Sequence, residues 1–437
     1  MFQTIRNAWK LADLRKKILF VLFILLLYRV GAKIPVPFID GAVAASIAQQ
    51  TEGSILQYLN ILSGGAFSQA TLFALGISPY ITSSIVIQLL SVAIPALERL
   101  AKEGEEGKKK LNQITRIVTV ALALLTAIGY YLMMKNYGLL DIPQGVPEIF
   151  AAIVIVSCYC AGSSLVMWLA EKINENGIGN GISLILFVNI VSSAPTIVSS
   201  LWSLITGKVA GVNHVVSILL AVLGVVVGIA MVVFIVFITN SERRIPVQYA
   251  KKVVGRKMYG GQNSTLPIKL NNTGVMPIIF ASSIISLPAT IGMFFNIKEG
   301  SFWDKFFNVF SSDGWVYAVL TFVLIIAFAY FYILISFNPV EVSNNLKKNG
   351  GSIPGIRPGK PTSDYITRVL NRITLIGAIF LGFIAVIPMI INICSGGLMS
   401  GLAFGGSSII IVVGVVIETA REIEGQMTMR HYKGFLD

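Results

Sequence analysis

The chain has 437 residues, 55% of them hydrophobic and only 13% charged, with a mean hydropathy of +0.77 and a formal net charge of +13. That is too apolar for a water-soluble globular domain, and it excludes a soluble nucleic-acid binder despite the basic balance. The apolar runs are about 18 to 25 residues long, enough for a helix to cross about 30 Å of hydrocarbon; membrane barrel strands would alternate over roughly ten residues instead.

In chain order, a basic amphipathic segment from Phe2 to Lys17 leads into a first apolar run at residues 18–36. No small-residue cleavage site follows that run, so it is expected to stay as a helix. Residues 55–75 are too polar and too Gly-broken for a lipid-facing helix: Ser63-Gly64-Gly65-Ala66-Phe67 precedes apolar residues interspersed with Ser68, Gln69 and Thr71. Irregular backbone at membrane depth is tolerated only inside protein or beside a water-filled cavity. A short re-entrant helix is therefore expected, with an ordinary interfacial loop as the alternative. Further spans are predicted at residues 76–97, 114–134, 149–170, 181–201, 214–239, 275–295, 315–337, 373–393 and 405–421, which makes ten in all.

Two connections, near residues 240–274 and 338–372, are much longer than the others, and long loops are usually functional or disordered. Ile245-Pro246-Val247-Gln248-Tyr249 and the Gly350–Gly359 run set β-formers beside Gly and Pro, which predicts hairpins acting as docking surfaces.

Placing the amino terminus in the cytoplasm puts all 34 Lys and Arg residues on that side except Arg29, Lys33, Lys135, Lys208, Lys298 and Lys305. The positive-inside rule then assigns both termini to the cytoplasm, as an even number of spans requires. Cys158, Cys160 and Cys394 show no metal spacing and read as small hydrophobes. Arg29, Glu171 and Glu418 sit near span ends, where snorkelling is easy. His214 and His431 are too peripheral for a proton relay, and the sequence holds no Walker loop, His-Glu-x-x-His motif or Ser/His/Asp set. The chain is expected to be no enzyme and to need no cofactor.

A weak internal echo runs through the spans. Gly76-Ile77-Ser78-Pro79-Tyr80-Ile81 matches Gly274-Val275-Met276-Pro277-Ile278-Ile279, and Gly181-Ile182-Ser183-Leu184-Ile185-Leu186 matches Gly406-Ser407-Ser408-Ile409-Ile410-Ile411. These copies open the second, seventh, fifth and tenth spans, an interval of five in each case. A half with an odd number of spans re-enters the membrane upside down, so matched positions meet near the midplane. Ile81 with Ile85, and Ile182 with Leu186, lie four residues apart on one helix face; the repeat matches Ile81 to Ile279, Leu186 to Ile411, Ile85 to Ser283 and Ile182 to Ser407. An aliphatic collar at such a constriction dewets it and blocks ions. The bland reading is ordinary lipid-facing or packing Ile. Gln88, Ser83, Ser84 and Ser91, with Ser282, Ser283 and Ser286, can bond across a helix seam at about 0.6 kcal/mol each, or back-bond within their own helices.

Across its whole length the chain resembles the SecY family, the central subunit of the protein-conducting channel. The most specific stretches are Leu62-Ser63-Gly64-Gly65-Ala66, Phe73-Ala74-Leu75-Gly76-Ile77-Ser78-Pro79-Tyr80-Ile81, Gly177-Ile178-Gly179-Asn180-Gly181-Ile182-Ser183, Phe280-Ala281-Ser282-Ser283 and the Gly351–Gly359 run with Arg357. The resemblance implies an all-α polytopic membrane protein. Its ten transmembrane helices form two inverted five-helix halves, residues 1–205 and 206–437, around a central pore, with a re-entrant plug helix near 59–72. It implies a pore ring at Ile81, Ile85, Ile182, Leu186, Ile279 and Ile411, adjoined by Ser283 and Ser407. Leu186 stands where the family often has Ile. The plug would include Ser63, Gly64, Gly65, Ala66 and Phe67; a lateral gate between the second and third helices and the seventh and eighth would include Gln88, Ser91, Ser282 and Ser286.

The implied function is passage of unfolded secretory polypeptides across the bacterial plasma membrane, with lateral release of membrane segments into lipid. The implied partners are SecE and SecG subunits, signal sequences, and a driving SecA motor ATPase or ribosome. Arg243, Arg244, Lys251, Lys252, Arg256 and Lys257 suit ribosomal RNA phosphates, and Arg357 suits a fixed guanidinium contact. The bland reading of each cation is a topology determinant. A secondary transporter is the rival, but it needs charged or unwound polar coordination at the midplane; a mere scaffold would leave residues 59–72 unexplained.

Overall fold

A computed structural model describes residues 6, 8–39, 60, 63–143, 145–206, 214–249, 252–254, 257–259, 263–271, 273–292, 314–394 and 405–433. The predicted spans fall on helices α1 (Ala12–Gly31), α2 (Ser78–Ala93) with its short extension α3 (Pro95–Lys102), α4 (Glu105–Asn136), α5 (Glu148–Asn176), α6 (Gly181–Ser192) with α7 (Ala194–Ile205), and α8 (His214–Asn240). They continue on α9 (Met276–Ile285) with α10 (Leu287–Gly292), α11 (Trp315–Ser336) with the polar α12 (Pro339–Lys348), α13 (Lys360–Cys394) and α14 (Gly405–Lys433). By length and apolarity alone, five described helices are long enough to cross a membrane, or six if the bent pair α2 and α3 is one span. The other expected spans are helical but charged or interrupted. Asp13, Arg15, Lys16, Lys17 and Arg29 lie in α1, the fifth and seventh spans break at Ser193 and Ser286, and α14 is apolar only in its first half.

The second span stops short of its expected end because Ile94 precedes Pro95. Proline's ring disfavours helical backbone in the residue before it, and Ile94 is extended at φ −106° and ψ 115°. The chain turns by 102° into α3, whose Leu97 and Leu100 oppose Glu98, Arg99 and Lys102 and which buries no residue. Such a helix suits the plane of a membrane interface.

The internal echo has a structural counterpart. Gly76 and Gly274 both take left-handed backbone, at φ +55° and +65°, just ahead of helices that start with Pro79 and Pro277. Pro in the first turn lacks only an N–H that would have no helical partner anyway. At the second pair, a Cβ on Gly181 would lie 2.0 Å from the Ala170 carbonyl oxygen of α5, and one on Gly406 would lie 2.7 Å from the Ala385 carbonyl oxygen of α13. Each glycine lets its helix close onto the backbone of the helix before it.

On the outside, α8 exposes Leu219, Val222, Val226, Ile229, Val233 and Phe237, a surface suited to hydrocarbon and not to water. From Ser63 to Ile77 the described chain is a succession of turns; the re-entrant helix expected near residues 59–72 falls mainly outside the described residues or on these turns.

The two long connections fold together. Strand β1 (Glu242–Tyr249) pairs antiparallel with β4 (Asn263–Lys269), Ile245 opposite Leu266, and with β5 (Gly351–Ser352), Tyr249 opposite Gly351. Between them β2 (Lys252–Val254) and β3 (Lys257–Tyr259) form the local hairpin. β1 thus pairs beyond its immediate neighbour in sequence, joining the two loops into one platform.

Candidate functional site: an aliphatic centre, a turn segment and a sheet platform

Ile81 and Ile85 of α2, Leu186 of α6, Ile279 of α9 and Ile411 of α14 are each at most 3% exposed and belong to one continuous apolar cluster. Ile182 packs against it, and Ser283 and Ser407 are buried. The four helices reach this centre by packing α6 on α14, α9 on α14 and α9 on α2. Asn180 caps α6 by accepting hydrogen bonds from the amides of Ile182 and Ser183 at 3.0 and 3.4 Å, which fixes where the Ile182 and Leu186 face begins. Residues chosen from a repeat and from helical spacing are therefore brought together from both ends of the chain.

The turn segment is held from several helices. The Tyr130 hydroxyl of α4 donates to the Phe67 carbonyl at 2.5 Å, and the Tyr159 hydroxyl of α5 to the Ala70 carbonyl at 3.3 Å. The Ser192 hydroxyl of α6 donates to the Asn189 carbonyl at 2.7 Å and lies 3.4 Å from the Gly64 carbonyl oxygen, which Arg29 of α1 reaches at 3.5 Å. The Ser63 hydroxyl accepts from the Phe67 amide at 3.0 Å. Phe67, Ala70 and Ala74 pack with Tyr130, Met134, Ile155 and Tyr159 in a second apolar cluster. Behind them the Asn189 amide donates to the Tyr28 hydroxyl at 2.8 Å. Sequence reasoning missed these supporting residues. Their one signal was a hydroxyl or amide inside an apolar run, where burial demands a partner.

Along the seam between α2 and α9, several of the expected polar side chains bond locally. Gln88 donates to Ser84, Ser91 to the Gln88 carbonyl, Ser283 to the Ile279 carbonyl and Ser286 to the Ser283 carbonyl, at 2.7 to 3.1 Å. The three serine bonds are back-bonds to carbonyls of the same helix or its cap, whereas Gln88 bonds the Ser84 side chain one turn earlier. A cross-helix bond joins α2 and α4, where Ser83 donates to the Thr115 carbonyl at 2.8 Å. Ser282 is buried beside Ile278 and Ala281. At one end of the seam a crevice opens between Phe67 and Leu75 of the turn segment, Pro79 and Thr82 of α2, Leu122 of α4, and Ser286 and Leu287 at the α9 to α10 break.

On the platform formed by the two long loops, Ile245, Ile268, Ile353, Ile366 and Leu370 make a separate apolar core with Ile333 and Ile373. Arg243 is exposed; Arg244 is exposed too but pairs with Glu242 at 2.7 Å. Lys251 and Arg256 lie outside the described residues, and Lys252 and Lys257 are placed only by their pairing in the β2 to β3 hairpin. Arg357 is exposed. At the platform's base Arg421 of α14 donates to the Thr239 carbonyl at 2.7 Å and the Asn240 side chain at 2.9 Å, tying α14 to the end of α8. Burial, then the neighbouring Arg421 charge, holds the Lys269 ammonium below its usual range. Among the span-end charges, Glu171 of α5 takes both ends of the Arg116 guanidinium of α4 at 2.9 Å. No cluster of three or more His, Cys, Asp or Glu that could hold a metal occurs among the described residues.

Fold and site together define a multi-pass helical membrane protein with aliphatic side chains of four helices buried in one apolar cluster. The chain belongs to the SecY family: the model of that family matches residues 71–420. It is 44% identical to the protein translocase subunit SecY of Streptomyces galbus and 43% identical to that of Mycobacterium bovis, over all of this chain and all of each relative. Among solved structures, it resembles a protein-conducting channel with a TM-score of 0.65 at 18% identity, covering 94% of this chain and 92% of that one. It also resembles Sec61 from the canine ribosome-channel complex, with a TM-score of 0.63 at 17% identity and the same coverage.

Proposed function

We propose that this chain is the channel subunit through which unfolded secretory polypeptides cross the bacterial plasma membrane and from which membrane segments pass sideways into lipid. The observation that carries the reading is the burial of Ile81, Ile85, Leu186, Ile279 and Ile411 in one continuous apolar cluster, with Ile182 packed against that cluster. Branched aliphatic side chains exclude water from a constriction and therefore ions, yet they have no directional bonds to break when a chain pushes between them. A small-molecule transporter would instead need polar coordination at that depth. Kinship with translocase subunits agrees with this.

In this reading residues 1–205 and 206–437 are the two halves, with the plug at Ser63, Gly64, Gly65, Ala66 and Phe67. The lateral gate runs between α2 and α4 on one side and α9 and α11 on the other, past Gln88, Ser91, Ser282 and Ser286. The packing of α2 on α9 supports a seam at this place. The subunit itself performs no chemistry, so translocation is driven from outside by a SecA motor ATPase or a ribosome bound at Arg243, Arg244, the 251–257 cations and Arg357. SecE and SecG complete the assembly, and both termini lie in the cytoplasm.

The test is single cysteines at Ile81, Ile182, Ile279 and Ile411 in a background without Cys158, Cys160 and Cys394, crosslinked to a stalled secretory chain. Crosslinks from all four to one short stretch of substrate are expected. None, beside a SecY control that works, would return the transporter reading.

A further inference from the structure

The Arg357 turn is stitched down by side chains that the proposed function does not use. From Ile353 to Gly359 the only charge is Arg357. Ile353 is anchored in the platform core, whereas Arg357 is exposed and makes no ion pair among the described residues. Two hydroxyls reach the turn from different helices. Thr362, in the first turn of α13, donates to the Arg357 carbonyl at 2.9 Å; Ser343 of α12 donates to the Gly359 carbonyl at 2.8 Å. The amides of Thr362 and Ser363 share that Gly359 oxygen at 3.0 and 3.1 Å, and the Ile356 amide closes on the Ile353 carbonyl at 3.0 Å. Thr362 and Ser343 are each only 2% exposed.

A buried helical serine has a simpler partner in the carbonyl four residues earlier; Ser343 instead spans to a turn 16 residues away. An arginine on a loose loop gives up backbone and side-chain freedom when it docks, and ordering the backbone beforehand removes part of that loss. We propose that Thr362 and Ser343 are positioning residues that pre-organise the Arg357 guanidinium to receive a carboxylate on a cytoplasmic protein partner. This rests on Arg357 being a partner contact. The Arg357 fork, flanked by Ile356 and Pro358, fits a carboxylate on a partly apolar protein surface, and the ribosome-binding outcome of the test distinguishes an RNA contact.

The experiment uses the full chain with its partner subunits in vesicles, driven by purified SecA at increasing concentration. Thr362→Val keeps the side chain's shape and removes the hydroxyl, Thr362→Ser restores the hydroxyl, and Ser343→Ala removes the second stitch. Thr362→Val and Ser343→Ala are each expected to raise the SecA concentration for half-maximal transport about fivefold, the range one hydrogen bond spans. The maximal rate should stay near wild type, and Thr362→Ser should match wild type in both. Equal losses in Thr362→Val and Thr362→Ser would mean that the site serves only folding and would overturn the inference. So would a loss of ribosome binding with SecA response unchanged. If Thr362→Val fails to accumulate, Ser343→Ala carries the test alone. Arg357→Glu separates the two levels: its loss of transport beside an unaffected Thr362→Val and Ser343→Ala overturns positioning alone, whereas an active Arg357→Glu overturns the contact and the positioning with it.

Discussion

The Tyr130 hydroxyl and the Phe67 carbonyl, 63 residues apart in sequence, meet at 2.5 Å in the buried interior, with the two rings 4.7 Å apart. Tyr130→Phe keeps the ring and leaves a buried carbonyl without this donor, which costs about 1 to 3 kcal/mol. That weakens the hold on the turn segment and leaves the rest of α4 intact. A cysteine placed by Ala66→Cys, buried in the parent, should then react faster with a membrane-impermeant maleimide, and resting ion conductance should rise. Unchanged labelling and conductance would show that the bond does not keep the segment in place.

The aliphatic centre makes a sharper prediction. Asn at Ile279 or Ile411 puts an amide where at most 3% of the side chain is exposed, and a polar group there recruits water into the constriction. Ile279→Asn and Ile411→Asn should each raise ion leak in the resting state and let substrates with defective signal sequences through. Parent-like conductance and selectivity in both would remove these positions from the seal.

Much of this centre was legible because helical spacing and an odd-span repeat are properties of sequence alone. Ile81, Leu186, Ile279 and Ile411 needed only a register, and the structure shows them in one cluster. Where the reading stopped was where a local rule or a distant partner decides. Pro95 is plain in the sequence, yet the expected span ran through it to residue 97 because the hydropathy of Ile94 to Leu97 outweighed the backbone restriction on Ile94. The roles of Tyr130 and Tyr159 depend on which carbonyls lie opposite, and no periodicity encodes that. Likewise β1 was expected in a local hairpin, but its second neighbour β5 comes from the other long loop, a pairing set by tertiary packing of Ile245, Ile353 and Ile366.

The platform's two arginines should differ in how they bind ribosomal RNA. Arg243 is exposed and makes no ion pair among the described residues, while Arg244 is already held by Glu242 at 2.7 Å. Each phosphate contact adds about 0.7 to 0.9 to the slope of log affinity against log salt. Arg243→Ala should therefore lower ribosome affinity and reduce that slope by close to one contact, with Arg244→Ala producing a smaller change. Equal slopes for the parent and Arg243→Ala, measured by sedimentation across a salt series, would leave Arg243 as a topology determinant.

Arg357→Glu tests the platform's other contact by inverting a charge that supports no internal pair among the described residues. The side chain is exposed, and the turn beneath it is held through backbone carbonyls and Ile353. Folding, membrane insertion and assembly with the partner subunits should thus be unaffected, since an exposed substitution away from caps and buried partners changes stability by about 0.5 kcal/mol or less. Partner-driven transport should nevertheless stop, because a carboxylate facing a carboxylate replaces attraction with repulsion at the docking point. Copurification of the assembled complex at parent yield, together with loss of transport, is the expected pair of results. Normal transport would show that the guanidinium makes no productive contact, and loss of assembly would show that it acts within the complex and not at a docked partner.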